Sequence, residues 1–169
     1  MTSAAVTLAR QSLTHYLETG RMLPLPDDVP SELTGAAGAF VSLKKSGQLR
    51  GCIGTFTATK PSVAAEIIVN AVSAGTEDPR FPPISRDELQ DIDISVDILS
   101  EPEQIDSLDM LDPQQYGIIV RRGRRSGLLL PMLEGVDTAS EQVGIAMQKA
   151  GISPHEEIEL YRFTVARHT

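Results

Sequence analysis

Three segments repeat apolar residues at the three-to-four-residue spacing of an amphipathic helix. They cover residues 3–19, 61–75 and 138–150. The third begins with a Ser/Thr-x-x-Glu capping box, formed by Thr138 and Glu141. We predict three helices, each with one buried face.

Other segments alternate apolar and polar residues, as half-buried strands do. The run from Asp91 to Ile98 alternates without a break. Five more strands are predicted as two hairpins and a final strand, near residues 40–43, 48–56, 116–120, 127–130 and 158–165. The pattern therefore predicts an α+β fold, a mixed and mainly antiparallel sheet covered by helices.

The chain length fits one domain, residues 1–169. The loop-rich region at 100–135 is compatible with a smaller second lobe. No internal repeat is evident in the sequence.

The segment Leu49-Arg50-Gly51-Cys52-Ile53-Gly54 contains the only cysteine. Side chains alternate along a strand, so we expect Arg50 and Cys52 on one face. A neighbouring guanidinium favours the thiolate, which is the reactive form of cysteine. Gly51 and Gly54 indicate either a close ligand or a bend in the backbone. A cysteine that only packs in the core is the alternative interpretation.

A proline-rich loop at residues 76–83 is the second candidate region. Its prolines exclude regular structure, and a rigid loop is suited to holding charged groups in place. We take Glu77, Asp78 and Arg80 as candidate ligand-binding residues, unless they only cap and brace the loop.

The predicted strand at 91–98 carries acidic residues on its polar face. Asp93 and Asp97 are candidate ligand-binding residues if this face meets Arg50 and Cys52 across a cleft. The simpler interpretation is a solvated sheet face.

Four arginines lie in the turn of the second hairpin: Arg121, Arg122, Arg124 and Arg125. Guanidinium groups make paired hydrogen bonds to phosphates and carboxylates, so this turn is a candidate docking surface. A turn kept soluble by its charge explains the same pattern and is slightly favoured.

Composition argues against nucleic-acid binding. The net charge is −8, the isoelectric point is near 4.8, and aromatic residues make up only 4% of the chain. Phosphate contacts need a basic surface, and unpaired bases need aromatic platforms.

A single cysteine excludes an intrachain disulfide and any cysteine-cluster metal site. The sequence predicts no metal site, and no cofactor is evident. We also expect no membrane span and a cytoplasmic location.

Several motifs occur together in this chain. They are Leu49–Gly54, Asp78-Pro79-Arg80-Phe81-Pro82-Pro83, Asp87-Glu88-Leu89, Leu130-Pro131 and Leu160-Tyr161-Arg162-Phe163. In this order they resemble the AMMECR family, whose prokaryotic members are called AmmeMemoRadiSam system protein A. The resemblance implies an α+β domain. It also implies association with a Memo-type protein and a radical S-adenosylmethionine enzyme.

Two functional hypotheses follow, and the chain is not assigned as an enzyme. In the favoured one, it is an accessory or substrate-handling protein that binds a small anionic ligand or a protein substrate around Cys52. In the other, Cys52 is a catalytic nucleophile or redox thiol activated by Arg50. A regulatory RNA- or protein-binding module is the weakest alternative.

Overall fold

Eight strands and three helices form the chain in this computed structural model, which describes residues 1–169. The helices are α1 (Ala4–Thr19), α2 (Val63–Thr76) and α3 (Ala139–Ala150). The strands are β1 (Ala39–Lys45), β2 (Gln48–Gly54), β3 (Ile92–Leu99), β4 (Glu103–Ile105), β5 (Gly117–Arg122), β6 (Arg125–Leu129), β7 (Glu159–Phe163) and β8 (Val165–His168). Short 3-10 helices lie at Ser31–Leu33, Arg86–Asp91 and Leu108–Met110.

The α+β prediction is confirmed, but the strands form two sheets instead of one. Their orders are β2-β1-β3-β8 and β4-β7-β5-β6. Pairing is antiparallel between β1 and its neighbours β2 and β3, and between β7 and its neighbours β4 and β5. The β5–β6 hairpin is antiparallel as well.

The chain divides into two compact units. The first contains Met1–Leu99 and Ala166–Thr169, and the second contains Ser100–Val165. The second unit thus extends beyond the lobe predicted at 100–135, because α3 packs on β5 and β6, and β7 pairs with β5.

Each α-helix begins at a hydroxyl cap, of which the sequence predicted the one at Thr138. Ser3, Ser62 and Thr138 accept hydrogen bonds from backbone amides in the first turns of α1, α2 and α3. In the first unit, α1 and α2 cover one face of the sheet, where Val41, Leu43 and Val96 are fully buried. The opposite face contains the candidate site.

The predicted final strand is interrupted. β7 lies in the second sheet and β8 in the first, with Thr164 between them. The Thr164 carbonyl accepts the Ser100 N–H, and the Thr164 N–H donates to the Ser100 hydroxyl. The strand β8 includes His168.

Candidate functional site

Cys52 lies on β2, the edge strand of the first sheet. Its direct cross-strand neighbour on β1 is Ser42, and the Oγ and Sγ atoms are 3.2 Å apart. Ser42 is paired in turn with Ser95 on β3. These three side chains form one row across the sheet face opposite the helices, and Cys52 is half-buried.

Asp78 closes the outer edge of β2 beside the cysteine. Its Oδ2 accepts the Cys52 N–H at 3.0 Å, and its Oδ1 accepts the Arg80 N–H at 3.0 Å. Its side chain is 2% exposed. Hydrogen bonds from the Arg80 side chain, with further help from these amides, hold the pKa of Asp78 well below its ordinary value despite burial.

The Arg80 guanidinium is bonded to Asp78 on one edge and accessible to solvent on the other. Its Nε and Nη2 donate to Asp78 at 3.0 and 2.7 Å, and Nη2 reaches the Cys52 carbonyl at 3.4 Å. The side chain is nevertheless 56% exposed. Its hydrogen bond with Asp78 raises the pKa of Arg80.

A second arginine, Arg167 on β8, repeats this arrangement. It makes a two-pronged ion pair with Asp97 on β3, with both distances 2.8 Å. Asp97 is 2% exposed and Arg167 is 55% exposed. Its hydrogen bonds with Asp97 raise the pKa of Arg167. Sequence analysis missed Arg167, because nothing in the sequence places the last residues beside β3.

Arg50 is engaged elsewhere. Gly51 is paired with Leu43 and Leu49 with Lys44, so Arg50 is the extra residue of a β-bulge. It donates to both carboxylate oxygens of Glu88 at 3.2 Å and to the Pro82 carbonyl at 2.7 Å. It therefore braces the proline-rich loop.

The two glycines of the motif are explained by packing. A Cβ on Gly51 would lie 2.1 Å from the Ala74 carbonyl oxygen of α2. A Cβ on Gly54 would lie 2.3 Å from the ring of Phe40. At both positions a neighbouring group packs directly against the backbone, and any side chain there would collide with it.

Glu66 is a buried carboxylate that sequence analysis missed. It is 1% exposed and accepts hydrogen bonds from the hydroxyls of Thr55 and Thr59 and the amides of Thr59 and Lys60. Burial raises its pKa, but these hydrogen bonds together outweigh burial and leave the pKa lowered. Glu66 thereby fixes the segment that follows β2.

The remaining acidic candidates are Asp93 and Glu77. Asp93 is exposed and lines a cavity of about 520 Å³ with Lys44, Ser95 and Arg167, among others. Glu77 is exposed, and its side chain accepts one hydrogen bond, from the Ser73 hydroxyl at 3.4 Å.

The arginine turn belongs to the second unit and is largely ion-paired. Arg121 pairs with Glu159, whereas Arg122 and Arg125 both pair with Glu156. Arg124 makes no hydrogen bond or ion pair. The charges on this turn thus mostly serve local contacts.

No group of three or more metal-ligating side chains is clustered in the structure. No helix is both long and apolar enough to cross a membrane.

A family model for AMMECR1 matches residues 6–168. The chain belongs to the AMMECR1 family. An AMMECR1-family relative from Thermotoga maritima is 52% identical over 166 residues, covering 96% of this chain and 95% of that protein. A Methanothermobacter thermautotrophicus relative is 40% identical, covering 94% and 88%.

A Clostridium acetobutylicum relative is 53% identical over 165 residues, but the chain spans only 35% of that protein's length. The AMMECR1-type fold is also similar to the crystal structure of an uncharacterized protein from Pyrococcus horikoshii. The TM-score is 0.87 at 33% identity, covering 96% of this chain and 88% of that one.

Proposed function

We propose that the first unit binds an anionic group on the sheet face that carries Cys52 and holds the attached molecule beside the thiol. The observation that carries this proposal is the pair of arginines, Arg80 and Arg167. Each is fixed from behind by a buried carboxylate and leaves its Nη1 without a partner. A guanidinium fixed in this way offers donors to an anion with little loss of side-chain entropy.

The wider role we propose is that of an accessory or substrate-handling protein. The resemblance of the motifs suggests a system with a Memo-type protein and a radical S-adenosylmethionine enzyme, in which the demanding chemistry belongs to other components. Binding assays between this chain and a purified partner of each type test this part.

The site proposal is tested by titrating the protein with inorganic phosphate and with malonate, following backbone amide chemical shifts. We expect saturable shifts at Cys52 and Arg80, and a Kd at least about fivefold weaker in Arg167→Met and Arg80→Met. The matched control is Arg86→Met, which removes a surface arginine of the same unit, 67% exposed and paired with Glu18. Equal binding in all variants would exclude the proposal.

Thiol catalysis is the alternative, supported by the hydrogen bond between Cys52 and Ser42. Cys52→Ser separates the two functions, since a hydroxyl preserves the small polar side chain but is a weaker nucleophile. Retained activity of the complete system favours binding, whereas complete loss in a folded variant favours catalysis.

A further inference from the structure

The two arginines of the site are anchored on different strands of the first sheet. Arg80 lies at the outer edge of β2, where it donates to Asp78 and to the Cys52 carbonyl. Arg167 is anchored two strands further along the sheet, by its ion pair with Asp97 on β3. Neighbouring strands are about 4.8 Å apart, so the two anchor points are separated by roughly 10 Å.

A single carboxylate or phosphate group is too small to contact both guanidinium groups at once. Charge-assisted hydrogen bonds are about 2.8 Å long, so such a group bridges nitrogen atoms that are at most roughly 8 Å apart. An anion in contact with one arginine is attracted by the other only through space. Removal of either arginine therefore weakens its binding, but direct contact with both requires a longer molecule.

Polar groups line the path between the two arginines. Ser42 and Ser95 are half-buried, so their hydroxyls are accessible on this face. At the far end, Ser95, Lys44 and Arg167 contribute to a cavity of about 520 Å³, a volume typical of small-molecule sites. Asp93 lines the same cavity, but Lys44 lies directly opposite it on β1 and supplies a cation that balances its charge.

We infer that the ligand is an extended dianion, whose two negative groups are held by Arg80 and Arg167 and whose middle lies over the row of Cys52, Ser42 and Ser95. This inference rests on the proposed anion site and adds the length and charge of its ligand. The thiol then faces the central atoms of the ligand instead of a charged end. A chain with a carboxylate at each end, or with a carboxylate and a phosphate, has this form.

The test is a series of linear dicarboxylates, from malonate to azelate, titrated into the full chain while backbone amide chemical shifts are followed. We expect Kd to fall at least about fivefold between malonate and a chain of intermediate length. The reason is that a second charge-assisted contact outweighs the cost of ordering the chain. Kd should level off or rise again once the chain exceeds the span between the arginines. At the best length, the amides of both Arg80 and Arg167 should shift.

Monocarboxylates of the same chain lengths are the matched control ligands, because they keep the apolar chain but have one charge. Their Kd should show no minimum at the same length. Arg80→Met and Arg167→Met should each abolish the advantage of the longer dicarboxylates. Arg86→Met, the surface control that pairs with Glu18, should retain it.

The series in the wild-type protein decides the inference without any variant. If phosphate and malonate bind in dependence on both arginines but Kd does not improve with dicarboxylate length, the extended dianion is overturned and the anion site stands. If no anion shifts the Cys52 and Arg80 amides, both proposals fail. A length optimum that persists in Arg80→Met or Arg167→Met also overturns the inference, since another group would then hold that charge.

Discussion

Removing the charge of Asp78 perturbs the site at the point where loop and strand meet. Asp78→Asn keeps the shape of the side chain but takes away the anion that accepts the Cys52 N–H and the Arg80 side chain. The carboxylate is 2% exposed, so water does not replace these contacts in the folded state.

The expected cost is about 3 kcal/mol of unfolding free energy. Breaking a buried ion pair costs roughly 3–5 kcal/mol, and the lower end applies because Arg80 is 56% exposed and becomes hydrated when released. The loop then loses its attachment to β2, and Cys52 should react faster with neutral alkylating reagents.

The assay is urea unfolding at pH 7 and over the acid range. The pKa of Asp78 is depressed in the folded state, so its contribution to stability is present above its ordinary pKa of 3.8 and is lost as the pH falls below it. Asp78→Asn should lack this part of the acid dependence. Glu77→Gln, which removes the same charge at the neighbouring exposed position, is the control. A loss below about 1 kcal/mol in Asp78→Asn, or an equal loss in the control, would refute this reasoning.

Two further predictions concern the supports of the site. Glu88→Gln should lower the free energy of unfolding by about 3 kcal/mol at pH 7. The reason is that hydrogen bonds from the Ser85 amide and then from Arg50 and Lys45 lower the pKa of Glu88 from 4.5 to about 2. In the wild type, this contribution of Glu88 to stability is present above pH 4.5 and disappears as the pH falls towards 2. Urea unfolding across that pH range measures it. If the acid dependence of unfolding is the same in the variant and the wild type, the prediction is contradicted. Glu66→Gln should lower the free energy of unfolding by about 2 kcal/mol and accelerate amide hydrogen exchange at Lys60. The reason is that one of the two buried acceptor oxygens is replaced by an NH2 group, which donates hydrogen bonds. Unchanged exchange there would show that Glu66 does not fix the segment.

Much of the first unit was predictable because local signals and tertiary structure agree. β3 alternates as its sequence does, with Ile92, Ile94 and Val96 buried. In the second unit, the predicted capping box at Thr138 starts α3 in the structure. The 76–83 loop, predicted as a second candidate region, lies beside the cysteine motif, where Asp78 accepts the Cys52 N–H.

Other features depend on long-range structure. Strand alternation placed Arg50 beside Cys52, but a bulge makes Arg50 an extra residue and directs it to Glu88. Arg167 reaches Asp97 only because β8 returns to the first sheet.

The most direct test of the central claim compares two alkylating reagents of similar size on the single cysteine, anionic iodoacetate and neutral iodoacetamide. In general, a unit charge about 7 Å from a reacting anion attracts it by roughly 0.6 kcal/mol even in water, which is about threefold in rate. The account predicts that the iodoacetate-to-iodoacetamide rate ratio of Cys52 exceeds that of N-acetylcysteine by at least about threefold at low salt. The ratio should fall in Arg80→Met and Arg167→Met but not in Arg86→Met. A ratio at or below that of N-acetylcysteine, as the net charge of −8 alone would produce, contradicts an anion site at this face.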